Sequence, residues 1–249
     1  MTEAQTDELI RADQAFAGNS LLATFSTSDR ALIEPFGRMV DLPTGDVILH
    51  RGDLVRSSLF PVGPTMVSMA IELADGRSVE AACIGRRGAV GGIISCGQAP
   101  TFARALVLVG GPAFSVSIHA LEDAKRRSRF IEHLFCRFSD YLLALSMQSV
   151  ACNAFHTITE RAARWLLHAQ DRTGDRIELT QQALADLLGV QRTTVNASIQ
   201  ELDRDNLVST GRGVVWVTDR AGLMRRACEC YRALEDHYGA VIGSSGSGG

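Results

Sequence analysis

The sequence lacks the features that mark membrane and secreted proteins. No apolar run reaches the roughly 18 residues that are needed to cross a bilayer. The polar, acidic start MTEAQTDELIRADQ has no signal-peptide pattern. We therefore expect a cytoplasmic protein with no membrane partner. Lys125 is the single lysine among 25 basic residues, and the formal net charge is −3. Net charge thus does not indicate a nucleic-acid partner, so the local placement of arginine must decide.

Catalytic and metal-binding patterns are also missing. Six cysteines are present, but no two have the CxxC spacing of many zinc and redox sites. Cys228 and Cys230 are two residues apart, and on a helix they would not share a face. Reduced, mostly buried thiols are expected in a cytosolic chain, so we predict no metal site. Paired carboxylates and nucleophile–histidine arrangements are not apparent either, so we do not expect an enzyme.

Proline and glycine are unevenly distributed. All six prolines lie before residue 113, and no glycine occurs between Gly111 and Gly174. Short alternating segments and turn pairs such as Asp75-Gly76 predict an antiparallel β-roll, with N-terminal helices, over residues 1–120. The stretch without either breaker predicts a long helix over residues 121–156.

The remainder completes an α+β fold. Residues 157–242 are expected to form a C-terminal domain, and 243–249, GSSGSGG, have the composition of a flexible linker or tag remnant. Along the long helix, apolar residues recur in a narrow stripe that is typical of a helix–helix seam. We interpret the stripe as a homodimer interface, although packing on the helix's own domain is the alternative. Its members are Ile131, Leu134, Phe138, Leu142, Leu145 and Cys152.

The segment LTQQALADLLGVQRTTVNASIQELDRDNLV fits helix–turn–helix geometry. Thr180 is a good N-cap, and Leu179 with Leu184 forms a hydrophobic staple. Ala185 is small where two helices must cross, and Gly189 supplies a left-handed turn. A second helix would then bury one stripe at helical spacing, made of Val195, Ile199 and Leu202.

Burial of that stripe turns polar residues outward at the start of the second helix. Arg192 is able to contact guanine, and Asn196 and Gln200 are able to contact adenine. The following NLVSTGRGVVWVTD predicts a hairpin wing with Arg212 at its tip, placed to reach a phosphate. The alternative is a helical hairpin whose polar residues only face water. We favour double-stranded DNA as the partner, with base contacts expected from Gln191, Arg192, Thr193, Asn196 and Gln200.

A β-roll, a seam-forming helix and a winged helix in this order resemble the Crp/Fnr family of bacterial transcription regulators. The resemblance covers roughly residues 20–237 and is strongest in TQQALADLLGVQRTTVNASIQELDRDNLV; in the roll it depends on GDVILHRGD and GRRGAVGG. It implies a homodimer on an inverted-repeat DNA site, with RNA polymerase as a further partner if the protein is an activator. It also implies that Arg192 reads guanine. The expected phosphate contacts are Thr180 and Gln182, which the resemblance implies, together with Thr194 and Arg212.

The same resemblance raises the question of an effector. GRRGAVGG is similar to the phosphate cassette of cyclic-nucleotide binders, but Ala89 stands where those proteins have glutamate. We therefore expect an effector other than cyclic AMP, or none. The candidate pocket comprises Gly88, Ala89, Val90, Gly91, Arg104 and Ser146. No iron–sulfur cluster is expected, because no cysteine precedes Cys83. The alternative function is a cyclic-nucleotide-type module that acts through protein contacts.

Overall fold

The computed structural model describes residues 13–93 and 99–243. The chain divides into two compact units. Among the described residues, one unit comprises 13–67, 83–93, 99–141 and 241–243, and the other comprises 68–82 and 142–240. The division falls inside the long helix, whereas the sequence predicted boundaries near residues 120 and 156. None of the helices in the described ranges is long and apolar enough to cross a membrane.

The first unit begins with short helical segments. A helical segment covers residues 13–18, and 3-10 turns cover Leu22–Thr24 and Glu34–Phe36. Helix α1, Thr27–Ile33, lies between those two turns. It starts at a capping box, in which the Ser26 hydroxyl accepts from the Asp29 amide and the Asp29 carboxylate accepts from the Ser26 amide. These reciprocal bonds satisfy amides that a helix start otherwise leaves without partners.

Seven short strands follow and form the predicted antiparallel roll. One sheet has the order β1-β7-β3 and another the order β2-β6-β4-β5. Strand β7 pairs antiparallel with both β1 and β3, and β2 with β6. Gly76, at φ +83°, makes the turn between β4 and β5, as the Asp-Gly pair predicted. The strands are β1 Gly37–Leu42, β2 Val47–Leu49, β3 Ser57–Pro61, β4 Met66–Glu72, β5 Ser78–Ile84, β6 Arg104–Val109 and β7 Gly111–Ser117.

The predicted helix over residues 121–156 is two helices, α2 Ile118–Arg127 and α3 Arg129–Phe155. Ser128 separates them in an extended conformation. Its hydroxyl donates to Asp29 Oδ1 at 2.6 Å and accepts from the amide of Ile131 at 3.3 Å. The prediction of one continuous helix was therefore wrong, because the bond to Asp29, 99 residues away in sequence, holds Ser128 out of the helix.

The predicted seam residues lie on the inner face of α3. Ile131, Leu134, Phe138 and Cys152 are fully buried within the protomer, Leu145 is buried and Leu142 is half-buried. This corrects the expectation that the set contacts a second copy, because a partner cannot reach the five buried side chains; Leu142 alone keeps accessible surface. A different apolar set, at i, i+4 and i+7 on the same helix, is exposed. Leu143 is 55 % exposed, Met147 62 % and Val150 71 %.

The second unit contains residues 68–82, which belong mainly to β4 and β5, together with the C-terminal helices and a small sheet of order β8-β10-β9. Thr157 and Glu160 form the capping box that starts its first helix. The predicted stripe Val195, Ile199 and Leu202 is buried in its core. The elements are α4 Ile158–Thr173, β8 Arg176–Glu178, α5 Gln181–Leu188, α6 Arg192–Arg204, β9 Val208–Gly211, β10 Val214–Val217, α7 Arg220–Arg226 and α8 Cys230–Ile242.

Candidate nucleic-acid interface

Helix α5 begins and ends at the residues that the sequence predicted. The Thr180 hydroxyl accepts from the Ala183 amide at 3.1 Å, which caps the helix start. Gly189 ends it in the left-handed conformation, at φ +67°, and the Val190 amide donates to the Ala185 carbonyl at 3.0 Å. A Cβ at residue 189 would lie only 3.2 Å from the Val79 side chain. The left-handed conformation therefore favours glycine at this turn, and a larger residue would also require Val79 to shift by a few tenths of an ångström.

A buried arginine holds the end of α5. Arg161 in α4 is 5 % exposed, and its Nη2 donates to the Leu188 carbonyl at 2.7 Å. The positive guanidinium thus sits at the negative end of the α5 dipole. Burial lowers the pKa of this guanidinium. Sequence reasoning missed Arg161, because its partner is 27 residues away and no local spacing connects the two.

Helix α6 presents one buried and one exposed face. Ser198 joins Val195, Ile199 and Leu202 on the buried face. Gln191 is the N-cap, and its side chain makes no capping hydrogen bond. Of the residues predicted to read bases, Gln191, Arg192, Thr193 and Gln200 are exposed and Asn196 is half-buried. The structure therefore places all five of them on or at the start of this helix, clear of its core-facing stripe.

Arg192 is the first residue of α6 and is exposed. Within the described ranges its side chain makes no hydrogen bond or ion pair with another residue. A guanidinium presents several N–H donors in a planar fork, and the two acceptors of guanine in the major groove match that fork. The helix start adds positive potential from backbone amides. The end of α6 that carries Arg192 is thus suited to an anionic partner with paired acceptors.

The wing tip lies beside the start of α5. Residues 212 and 213 form the turn between β9 and β10, and Gly213 has φ +74°. The Leu179 amide donates to the Gly213 carbonyl at 3.0 Å, and a Cβ at residue 213 would lie 3.9 Å from Thr180 Cγ2. Arg212 and Thr180, both exposed, therefore belong to one side of the domain. Their proximity suits two contacts along one phosphate backbone.

The remaining predicted phosphate contacts differ in their availability. Gln182 is exposed on α5, but its Nε2 already donates to Asp186 Oδ1 at 2.8 Å, one turn later. Thr194 is exposed in the first turn of α6. A phosphate contact from Gln182 would therefore compete with an intrahelical bond, whereas Thr194 lies close to the positive end of its helix.

The acidic end of α6 is bonded to the rest of its domain. Glu201 accepts from the Thr159 hydroxyl at 2.9 Å and pairs with Arg226, and the Thr159 hydrogen bond holds the pKa of this carboxyl below its usual range. Asp205 also pairs with Arg226, at 3.7 Å, and Asp203 accepts from a hydroxyl in β9. These carboxylates are thus directed toward other elements of the domain, and their partners reduce the repulsion of an approaching phosphate.

The candidate effector segment is packed into the first unit. Ala89 and Val90 are each 2 % exposed. The Gly88 carbonyl accepts from Asn19 Nδ2 at 2.9 Å, and Val90 exchanges two backbone hydrogen bonds with Leu59. The Gly91 carbonyl accepts from a serine hydroxyl at 2.7 Å. These backbone carbonyls and the Val90 amide therefore already have hydrogen-bond partners within the first unit.

The two other predicted pocket residues lie in regular elements. Arg104 is half-buried at the start of β6, and the Ser146 hydroxyl donates to the Leu142 carbonyl of its own helix at 3.0 Å. The effector pocket remains a prediction.

Comparison with known proteins agrees with this geometry. Residues 160–226 match the family model described as the Crp-like helix-turn-helix domain. These residues form a Crp-like helix–turn–helix domain. A curated relative, the HTH-type transcriptional regulator Cmr of Mycobacterium tuberculosis (strain CDC 1551 / Oshkosh), is 46% identical over 52 residues, 21% of this chain. The match covers 21% of the relative's own length.

Solved structures share the fold over most of the chain. FixK2 from Bradyrhizobium japonicum superposes with a TM-score of 0.67 at 17% identity, over 77% of this chain and 98% of the other. A CRP-family transcriptional regulator from Thermus thermophilus gives 0.62 at 18%, over 76% and 96%. CLP of Xanthomonas campestris, described as a c-di-GMP responsive global regulator, gives 0.60 at 18%, over 77% and 97%. The α+β fold predicted by resemblance to Crp/Fnr regulators is confirmed, with the Crp-like domain toward its C-terminal end.

Proposed function

We propose that this protein is a homodimeric, sequence-specific DNA-binding transcription regulator and not an enzyme, acting in the cytoplasm. The observation that carries the proposal is the exposed side of α6 in the Crp-like domain. There Arg192, Asn196 and Gln200 face away from the buried stripe. A helix buried along one side and rich in amide and guanidinium groups on the other suits the major groove.

The domain offers two kinds of DNA contact. Arg192 is expected to pair with one guanine, and Asn196 and Gln200 with adenine, while Gln191 and Thr193 flank them. Thr180, Gln182, Thr194 and Arg212 are expected to contact phosphates, which position the helix without reading sequence. Thr193 replaces the glutamate that many regulators of this type carry after the arginine, so we expect a half-site different from theirs.

The dimer is proposed through the exposed face of α3. Leu143, Met147 and Val150 form a short apolar stripe at helical spacing, and each is more than half exposed. An exposed apolar stripe along a helix is typical of a surface that a second helix covers. A two-fold dimer presents two identical reading helices, which suits an inverted repeat. This stripe takes the place of the buried set that the sequence predicted.

Control by a ligand is the third part of the proposal. We propose an effector other than cyclic AMP, or binding that needs none, because Ala89 is buried where a glutamate would hold a ribose. RNA polymerase is proposed as a partner if the protein activates transcription. The competing function, a ligand-binding module that acts only through protein contacts, gives no role to an exposed Arg192.

Selection from a random duplex library tests DNA binding. We expect enrichment of an inverted repeat, bound in fluorescence anisotropy more tightly than its scrambled duplex. The Arg192→Ala variant should lose that preference, whereas Arg126→Ala, which removes an exposed arginine from α2, should keep it. If the full-length protein enriches no sequence and binds scrambled duplex equally well, the proposed function is wrong.

Sedimentation velocity tests the dimer separately. A Val150→Asp change places a charge at the most exposed residue of the stripe, so it should produce monomers and weaken binding to the inverted repeat. The control is Phe36→Asp, at another exposed apolar residue in a 3-10 turn, which should leave the dimer intact. A dimer that is unaffected by Val150→Asp would place the interface elsewhere.

A further inference from the structure

A cluster of three cysteines and one histidine lies in the second unit, separate from the DNA-reading face. Cys152 lies in the last turn of α3, and His156 follows the end of that helix. Cys228 lies in the turn before α8, and Cys230 is the first residue of α8. One potential ligand atom from each of the four residues lies within 4.8 Å of the others.

The distances fit a tetrahedral cation. The Cys152 and Cys228 sulfurs are 3.6 Å apart, and the Cys230 sulfur is 3.5 Å from His156 Nδ1. A tetrahedral zinc ion with Zn–S of about 2.3 Å and Zn–N of about 2.0 Å requires edges of about 3.8 Å between sulfurs and about 3.6 Å between sulfur and nitrogen. A disulfide requires about 2.05 Å. Both measured edges therefore match metal coordination.

Two further side chains orient the cluster. His156 Nε2 lies 3.2 Å from Glu229 Oε2, so the carboxylate is placed to hold the ring with Nδ1 toward the sulfurs. Metal-binding histidines characteristically make this second contact to a carboxylate. Gln148 Nε2 donates to the Cys230 sulfur at 2.9 Å. An amide donor to a sulfur is also common around bound metals, where it stabilises thiolate charge.

The cluster is enclosed by the protein. The three sulfur-bearing residues are at most 5 % exposed. A cation held by these sulfurs would be shielded from water, as it is in closed structural metal sites.

We propose that Cys152, His156, Cys228 and Cys230 are the four ligands of a site for Zn²⁺ or a similarly thiol-preferring dication. Three thiolates and one imidazole complete a tetrahedral shell, the composition of structural zinc sites. On binding, the ion forms three metal–sulfur bonds and one metal–nitrogen bond, and every proton still carried by the three thiols is released to solvent. The site would tie the end of α3 to the start of α8 within the second unit.

The proposal differs from the sequence-based prediction, which was that the protein has no metal site. That prediction assumed that Cys228 and Cys230 lie on one helix, but Cys228 precedes α8, so both sulfurs reach the same point. A second group, His168, Asp171 and Glu235, also gathers potential ligands. There, however, the Asp171 carboxylate already accepts from Arg220 at 2.7 Å and Tyr231 at 2.8 Å. The contacts described for the cluster sulfurs are instead with one another, with His156 and with Gln148.

Cobalt titration of the reduced, full-length protein, after removal of metal with a chelator, tests the site directly. We expect one Co²⁺ per protomer, with a thiolate charge-transfer band and the intense visible bands of tetrahedral cobalt, both lost when Zn²⁺ displaces it. Zinc should also raise the thermal unfolding temperature. The readout is spectroscopic and does not depend on DNA binding, so it can fail while the proposed function holds, and conversely.

Matched variants make the result specific. Cys228→Ser and His156→Gln should abolish the tetrahedral spectrum, whereas Cys136→Ser, at an exposed cysteine outside the cluster, should keep it. Glu229→Gln changes only an exposed carboxylate, so it should fold normally and bind cobalt about 10–100-fold more weakly. Circular dichroism checks the fold of each variant.

Three results would overturn the proposal. One is a reduced wild-type protein that takes up no stoichiometric cobalt. Another is a Cys228→Ser variant, or a Glu229→Gln variant, whose titration equals that of Cys136→Ser. The third is formation of a Cys152–Cys228 disulfide, detected by mass spectrometry, in a protein that binds no metal once reduced again; this would assign the pair to thiol oxidation.

Discussion

Two segments of this protein resemble binding motifs, but the fold buries the core of one segment and exposes the start of the other. In GRRGAVGG, residues 85–92, Ala89 and Val90 are buried, and the Gly88 carbonyl already accepts from Asn19. In GVQRTTVNASIQ, residues 189–200, positions 191–194 are all exposed, and the Arg192 side chain has no hydrogen-bond or ion-pair partner in the described part of the chain. A motif indicates a binding site most strongly where the fold leaves its polar groups free.

Glycine also has different roles in the two segments. At Gly88 a Cβ would lie 2.8 Å from the Phe138 ring, so this glycine permits close packing of the core. At Gly189 the left-handed backbone ends one helix and aims the next. In the first segment glycine therefore allows the core to pack closely. In the second it sets the direction of the helix that carries the exposed side chains.

The largest expected effect is a loss of stability when a glutamate, the residue of cyclic-nucleotide binders, replaces Ala89 in the first segment. Ala89→Glu places a carboxylate where the native side chain is 2 % exposed. An uncompensated buried charge should destabilise the fold by about 3–5 kcal/mol. Urea unfolding measures this loss, and calorimetry should detect no gain of cyclic AMP binding.

The matched change in the second segment is Ala197→Glu, at an exposed position of α6. It should alter stability by less than about 0.5 kcal/mol. Its negative charge should nevertheless weaken DNA binding, because the exposed side of α6 is proposed to lie against DNA. Equal stability losses for the two glutamates would contradict the contrast between the segments.

The next effect is steric. Gly88→Ala forces a Cβ against Phe138, and overpacking of this kind costs about 1–3 kcal/mol. Thermal unfolding followed by circular dichroism is the measurement. The control is Gly239→Ala in α8, where a Cβ would meet nothing within 4 Å; there we expect unchanged or slightly higher stability. Tolerance of Gly88→Ala would show that the segment is less tightly packed than described.

In the second segment, Arg192→Ala should leave stability almost unchanged and cost about 1–3 kcal/mol of binding free energy. Because the guanidinium is expected to read one base, the loss should be confined to operators that carry guanine at that position. Anisotropy titrations against the selected operator and its single-base variants measure it. An equal loss on every duplex would assign Arg192 to the phosphate backbone instead.

The smallest effect is expected at the wing. Arg212→Ala removes one proposed phosphate contact, so affinity should fall modestly and to the same extent on all sequences. The slope of log affinity against log salt should decrease in magnitude by about one. A change in base preference would indicate that the wing enters a groove.

Local sequence was sufficient where interactions are local. Thr180 and Gly189 were both predicted as helix boundaries, because a cap or a left-handed turn depends on neighbours within a few residues. Arg161, by contrast, could not be found from its surroundings. Its hydrogen-bond acceptor is the Leu188 carbonyl, which only folding brings close to it.

By itself the sequence determined the order of elements, the helix–turn–helix and the outward side of α6, because periodicity and caps act over one or two turns. Tertiary structure alone decided which face of α3 is buried. A seven-residue repeat shows that a helix has an apolar side but does not say whether that side meets its own protomer or another. Tertiary structure also brings Cys152 and His156 to Cys228 and Cys230, although 76 positions separate Cys152 from Cys228. Convergence over such a separation depends on packing, which no local spacing encodes.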